Sequence, residues 1–464
     1  MFVSTEFCLA TSIKQQDQVP QTFKEWVQFF LNAKLPKSLK TKYATFLLSK
    51  LTKNLDISHL SWLNHPELTQ QHFAQQHLKV CEAFKAYLIR RKELHPREYF
   101  PTVSHAFEFL YQVAPTKLVD GAWLYSTLNQ SHHSDFRHLI QIYLEELGLG
   151  NAQANHVTMY RHLLEHYELK PYTEYLTDDY YEQAAVQLAL AYAPTELLPM
   201  VVGFNLGYEQ LPLHLLITNY ELAELGIDSQ YFNVHITIDN AHNGHAEKSL
   251  QALHQLLQQS NDPDLFLTQV KQGFLLNDLG QSSTAIIQNL NPKNQVIQIL
   301  KSKAIIGQHI HNEKCQFNGQ SINEWLSQPE QIEIFLDVLL QKSWIMLNEP
   351  VEQSRFWALI HQPNGKMFGV FNATEKQFIK DWIQGERFAQ RISPQSVQSN
   401  EPLSPTTFKQ LEILKKELEH CPNDKARLMQ LIPYLAPHCH DRTLGLWATQ
   451  QFSKLLFPFQ TLMI

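Results

Sequence analysis

Glycine is scarce in this sequence. Only 15 of 464 residues are glycine, which fits a helical architecture with few tight hairpins. Cysteine is scarcer still: Cys8, Cys81, Cys315, Cys421 and Cys439 are odd in number and scattered, with no C-x-x-C pair. That excludes a disulfide framework and a thiolate zinc site and favours a reducing cytoplasm. Long apolar runs are missing too. The most apolar region, Val186 to Tyr208, is interrupted by Pro194, Glu196 and Pro199, and a spanning helix needs about 20 mostly apolar residues. Met1 to Lys14 lacks the basic start and cleavage site of a signal peptide. Excess positive charge is absent. A formal net charge of −7 gives no electrostatic reason to expect nucleic acid or an anionic membrane as a partner.

What is present suits a globular chain. Hydrophobic residues make up 44% and charged residues 18%, and the length exceeds the usual size of one hydrophobic core, so two or three domains are expected. Apolar spacing predicts helices over about 21–53 (two, broken by Pro36, with Ser38 as a cap), 69–92, 103–113 and 135–147. Further helices are expected over 179–193, 196–222, 264–276, 294–310 and 332–347. Gly148 and Gly150 allow a helix end, and Asn151 is a candidate cap for the next helix. Gly203 and Gly207, four apart, permit close approach of a neighbouring backbone. Ser321-Ile-Asn-Glu324 has the pattern of a capping box. One β-hairpin is expected, with Phe356–His361 and Lys366–Phe371 flanking Asn364-Gly365.

Histidine is abundant, at 23 residues, and it is the commonest imidazole ligand for transition metals. On a helix, His235, Asp239 and His242 at i, i+4 and i+7 fall within about 60° of one another. This spacing alone is a modest signal, since paired histidines also satisfy polar cores. Three upstream residues on or beside predicted helices strengthen it: Glu146, His156 and Glu209. Three imidazoles and three carboxylates without a thiolate suit iron or manganese, and six such groups exceed the needs of one open mononuclear site. Two metals bridged by carboxylates inside a helical bundle would use them all.

Glu145 is the better candidate for an ordinary surface charge. His245 lies about 80° off the line of His235 and is expected behind the ligands or at the surface. Tyr160, Tyr208, Tyr231 and Phe232 are expected to pack the core. His77, His132, His133, His138 and His214 do not fit the ligand pattern, and His438-Cys439-His440 lacks a fourth partner.

The run Glu146-Leu-Gly-Leu-Gly-x5-His156, then Gly-Tyr-Glu209-x2-Pro212, then Tyr-Phe-x2-His235-x3-Asp239-x2-His242 resembles the haem-oxygenase-like diiron oxidases and oxygenases, a family of iron-containing redox enzymes. The resemblance covers about residues 100–260, with a weaker likeness around 354–371. It implies an all-α, haem-oxygenase-like helical bundle with additional N- and C-terminal, mostly helical regions. It implies a non-haem diiron site held by Glu146, His156, Glu209, His235, Asp239 and His242, with dioxygen as co-substrate. Some relatives place a further carboxylate where this chain has Gln153. Mn/Fe loading suits the same ligands.

The expected organisation is an N-terminal helical extension (1–100), the diiron bundle (101–265), a helical region with the hairpin (266–391), a linker (392–406) and a helical tail (407–464). The expected activity is that of an oxidase or oxygenase on a small organic substrate. An external electron donor and a homodimer are among the partners considered. A metal-independent enzyme on the same fold and a non-catalytic binding or regulatory protein are the competing readings. A ferritin-like iron store is a third.

Overall fold

The computed structural model describes residues 19–240, 244–309, 311–392 and 405–458, without the side chains of 239 and 240. The chain is all-α, with a single two-stranded sheet among the described residues. The N-terminal helices are α1 (Phe23–Leu31), α2 (Lys37–Thr52), α3 (Pro66–Lys92) and α4 (Val103–Gln112). The middle of the chain forms α5 (Arg137–Glu146), α6 (His156–His166), α7 (Glu182–Ala191), α8 (Leu198–Tyr208), α9 (Leu213–Leu225), α10 (Gln230–Asn240), α11 (His245–Gln258) and α12 (Pro263–Leu275). Beyond these lie α13 (Pro292–Gly307), α14 (Ile332–Gln341), α15 (Arg355–His361), α16 (Ala373–Gln384), α17 (Pro405–Glu419), α18 (Asp424–Leu431) and α19 (Thr443–Leu456). No described helix is long and apolar enough to cross a membrane.

The apolar faces of these helices bury in two clusters. One gathers α1, α2, α5, α7, α8, α11, α12, α18 and α19 around Trp123, Tyr143, Phe204, Val270 and Phe452. The other gathers α4, α6, α9 and α10 with α13 to α16 around Phe109, Tyr160, Phe232, Leu336 and Phe378. Helices 8 and 12 meet most closely. A Cβ on Gly203 would lie 1.8 Å from the Val270 carbonyl oxygen, and one on Gly273 would lie 2.0 Å from that of Met200. Only residues without a side chain permit this contact; of the expected pair Gly203 makes it, while Gly207 faces the side chains of Asn277 and Phe274. The C-terminal tail packs on the bundle: Tyr143 Oη donates to the Leu435 carbonyl at 2.5 Å, and Arg161 pairs with Asp441.

Several local expectations are corrected. The hairpin forms at the other Asn-Gly, where β1 (Gln316–Phe317) pairs antiparallel with β2 (Gln320–Ser321). There Asn318 and Gly319 take φ of 50° and 82°, as a two-residue turn of this hand requires. At 356–371, Phe356, Trp357 and Ile360 share one buried face of α15, a helical spacing. The Met367 amide then folds back onto the Leu359 carbonyl at 3.0 Å. The helix expected over 196–222 is two helices, because Pro212 lacks an N–H and heads α9. Pro36, not Ser38, precedes α2, and no side chain caps it. Asn155, not Asn151, caps α6. The Asn151 carboxamide accepts instead from the Gln153 amide two residues on. Helix 14 stops at Gln341 rather than near 347. The capping box at Ser321 and Glu324 is present. Most of the expected linker, 393–404, lies outside the described residues.

Candidate metal centre

The site forms where the two apolar clusters meet. Helix 5 ends on Glu146, and Gly148, Leu149 and Gly150 then turn in the left-handed region (φ 64°, 52° and 87°). The chain reverses, and Asn155 accepts the Thr158 amide at 3.0 Å to start α6 on His156. Ten residues thus return the second side chain to the first. His156 Nδ1 lies 2.5 Å from Glu146 Oε2. Opposite them, the turn before Trp123 brings in Asp120. The following Gly121 (φ 75°) leaves room for helix 5, since a Cβ there would lie 2.7 Å from Glu146 Cβ.

His235 reaches this group from the middle of α10. Its Nδ1 faces the Tyr231 carbonyl at 2.8 Å, one turn back, and its Nε2 faces Asp120 Oδ2 at 3.0 Å. Asp120, Glu146, His156 and His235 can offer four ligand atoms to one point, and all four residues are buried. On the other side of Glu146 a second group converges. Glu209, just past the end of α8, and His245, the first residue of α11, place Oε2 and Nδ1 3.1 Å apart. The same Nδ1 is 3.3 Å from Glu146 Oε1. Glu146 therefore turns one oxygen toward each group.

The orphaned atoms here are informative. Among the described residues, Glu146 Oε2, His156 Nδ1 and Glu209 Oε1 are buried and make no hydrogen bond. Glu146 and His156 form a buried ion pair at 2.5 Å without hydrogen-bond geometry. Leaving a buried polar group unsatisfied costs about 1–3 kcal/mol, and more when it is charged. Cations held by the two groups would satisfy these atoms, so the residues fit a metal.

The electrostatics agree. Burial would raise Asp120, but the Lys117 ammonium and His235 hold its carboxyl well below the usual range. Glu146, pushed up by burial, is held below its ordinary value by His156. Glu209 stays above its ordinary value, because burial, with Glu146 and Asp120 adding to it, outweighs His245. Burial would lower His235, yet its bond to Asp120 pushes it up to about 9. His245 is also raised, against burial, by Glu209 and Glu145. The protons these imidazoles carry are the ones a metal displaces.

Of the residues expected from the sequence, Glu146, His156, Glu209 and His235 come together. Asp239 lies one turn beyond His235 on α10 with its side chain outside the described residues, and His242 lies outside them altogether. Gln153 is exposed. His440 is held by Asn155 at 3.2 Å. Two expectations are corrected. Glu145 is not a free surface charge but binds His245 Nε2 at 3.0 Å and Lys248 at 2.6 Å. His245 is buried inside the site, because α10 ends at Asn240 and a new helix starts at His245, so an angle projected from His235 does not apply. Asp120 is not among the residues that the sequence spacing marks; its available signal is one acid in the apolar run Leu118-Val-Asp-Gly-Ala-Trp-Leu124. The tyrosines do more than fill space: Tyr231 and Tyr208 both hydrogen-bond Asp120, and Lys117 donates to Tyr208 at 3.2 Å.

Residues 107–276 match the model of the iron-containing redox enzymes. This segment is similar to that family, and the match covers residues 107–276 only. Each residue of the two converging groups falls inside the matched segment, and helices outside it pack against it, such as α19 against the 148–150 turn. No curated protein and no solved structure gives a match.

Proposed function

We propose that this chain is a non-haem diiron oxidoreductase, an oxidase or oxygenase that activates dioxygen against a small organic substrate in a reducing cytoplasm, with electrons from an external donor. The observation that carries the reading is the set of orphaned, buried atoms on Glu146, His156 and Glu209, within a segment similar to the iron-containing redox family. One iron would take Asp120, Glu146, His156 and His235. The second would share Glu146 and take Glu209, with Asp239 and His242 kept in the ligand set from the sequence. Manganese at one position suits the same donors.

Bound ferrous iron would supply the electrons that reduce dioxygen. The chain's own residues would do the rest. Burial of the ligands keeps bulk water from them and strengthens each charge interaction. Tyr231 holds a proton at its hydroxyl against Asp120 Oδ2, and Tyr208 does the same at Oδ1, 3.3 Å away. The backbone carbonyl of Tyr231 keeps the His235 proton on Nδ1 and leaves Nε2 for metal. A metal-independent enzyme would have no use for orphaned carboxylate and imidazole atoms packed against one another. The test is to load the protein anaerobically with Fe(II) and admit oxygen. The reading expects bound iron and a new visible absorption. Bound iron without any optical change, or no iron at all, would contradict it.

A further inference from the structure

We propose that His245 is a ligand of the second iron position and that Glu145 is the residue that orients it. The inference rests on the diiron reading above and names a histidine outside the H-x3-D-x2-H spacing.

Three features of the fold support it. Two histidines begin helices at the site: His156 after Asn155, and His245 after Gly244. Each turns Nδ1 toward Glu146, at 2.5 and 3.3 Å, one to each carboxylate oxygen. His245 thus stands toward Glu146 Oε1 and Glu209 as His156 stands toward Glu146 Oε2 and Asp120. His235, inside a helix, can fix its tautomer with the carbonyl four residues back. His245, the first residue of its helix, has no such carbonyl within that helix, and a side chain holds its far nitrogen instead. That side chain is Glu145, at 3.0 Å from Nε2, itself clamped by Lys248 at 2.6 and 2.8 Å. A proton on Nε2 leaves the Nδ1 lone pair facing Glu209 and Glu146. This is the carboxylate–histidine pairing that orients metal ligands.

The backbone of His245 is fixed as well. Its carbonyl accepts Ser249 Oγ at 2.7 Å, Ser249 Oγ accepts Asn205 Nδ2 at 2.7 Å, and Asn205 Oδ1 accepts Trp123 Nε1 at 2.9 Å. Helix 8, helix 11 and the turn after Asp120 are thereby tied together at this ring. The buried Glu209 Oε1, with no hydrogen bond, marks the atom left for the ion. Glu145 and Glu146 are neighbours in sequence with divided work: Glu146 faces the metal position, and Glu145 faces the back of the imidazole.

Anaerobic Fe(II) titration of the full chain tests this through stoichiometry and affinity, independently of turnover. Wild type is expected to take two irons. His245→Asn is expected to take one, with the first binding step unchanged. Glu145→Ala, which keeps the imidazole, is expected to weaken the second step about 10–100-fold and leave the first alone. A purely structural role would weaken both steps together or neither. Two irons bound by His245→Asn with wild-type affinity would overturn the inference and leave the diiron reading standing. A wild type that binds no iron would sink both.

Discussion

His156 Nδ1 and Glu146 Oε2 stand 2.5 Å apart, buried, and neither atom makes a hydrogen bond. Both atoms belong to the group of four buried residues that can offer ligand atoms to one ion. Because the other oxygen of Glu146 faces His245, this one carboxylate links both halves of the site, and its loss differs in kind from the loss of any neighbour.

Glu146→Ala is expected to abolish binding of both irons. Glu209→Ala, confined to one side, is expected to lose the second iron only. Metal analysis after anaerobic loading and desalting distinguishes the two. Equal losses would mean that Glu146 is not shared.

Gly121 sits under Glu146 with φ 75° and no room for a Cβ. Gly121→Ala is expected to cost about 1–3 kcal/mol from backbone strain, plus the displacement of Glu146, and so to reduce iron affinity. Gly319→Ala is the control: its φ is 82°, but a Cβ there meets nothing within 4 Å. It should lose stability by the strain alone and keep its iron. Denaturant unfolding and iron titration read the two effects separately.

Tyr231→Phe removes the hydroxyl that donates to Asp120 and leaves the ring to pack. A hydrogen bond to a charged group contributes about 1.5–3 kcal/mol. The first iron step should therefore change by roughly tenfold or more, while the second, on the far side of Glu146, should not. Unchanged binding at both steps would make this hydroxyl a packing detail.

The metal-free protein should depend on pH through His235. Its folded value of about 9 lies above the ordinary 6.5, so its charged bond to Asp120 stabilises the fold fully below about pH 6.5. That contribution fades as pH rises through 9, and the shift corresponds to about 3 kcal/mol. Chelator-treated protein should unfold at lower denaturant at pH 9 than at pH 6. Iron competes with the same proton, so binding should tighten over this interval. A metal-free protein equally stable at both pH values would contradict the assignment.

Much of the site was legible because its signals are local. Glu146, the two glycines and His156 lie in one short stretch whose glycines mark a helix end, and Gly203 is marked by its spacing although its partner backbone is that of Val270. What escaped depends on where chains stop or pair at a distance. His245 is misdirected only on a helix continued past Asn240, and it begins a helix of its own. Glu145 looked solvated because its partners lie 100 and 103 residues away. Asp120 belongs to no repeat and is placed by tertiary packing. The hairpin shows the same limit: both Asn-Gly pairs are turn signals, and burial of Phe356, Trp357 and Ile360 on one helical face overrode one of them.

The central claim is that two irons share Glu146. Mössbauer and EPR spectra of protein loaded with iron and then oxidised test it most directly. A carboxylate-bridged diferric pair couples its spins to zero, so the prediction is two irons per chain, EPR-silent, in a magnetically coupled pair. A single isolated high-spin ferric signal at one iron per chain would contradict it.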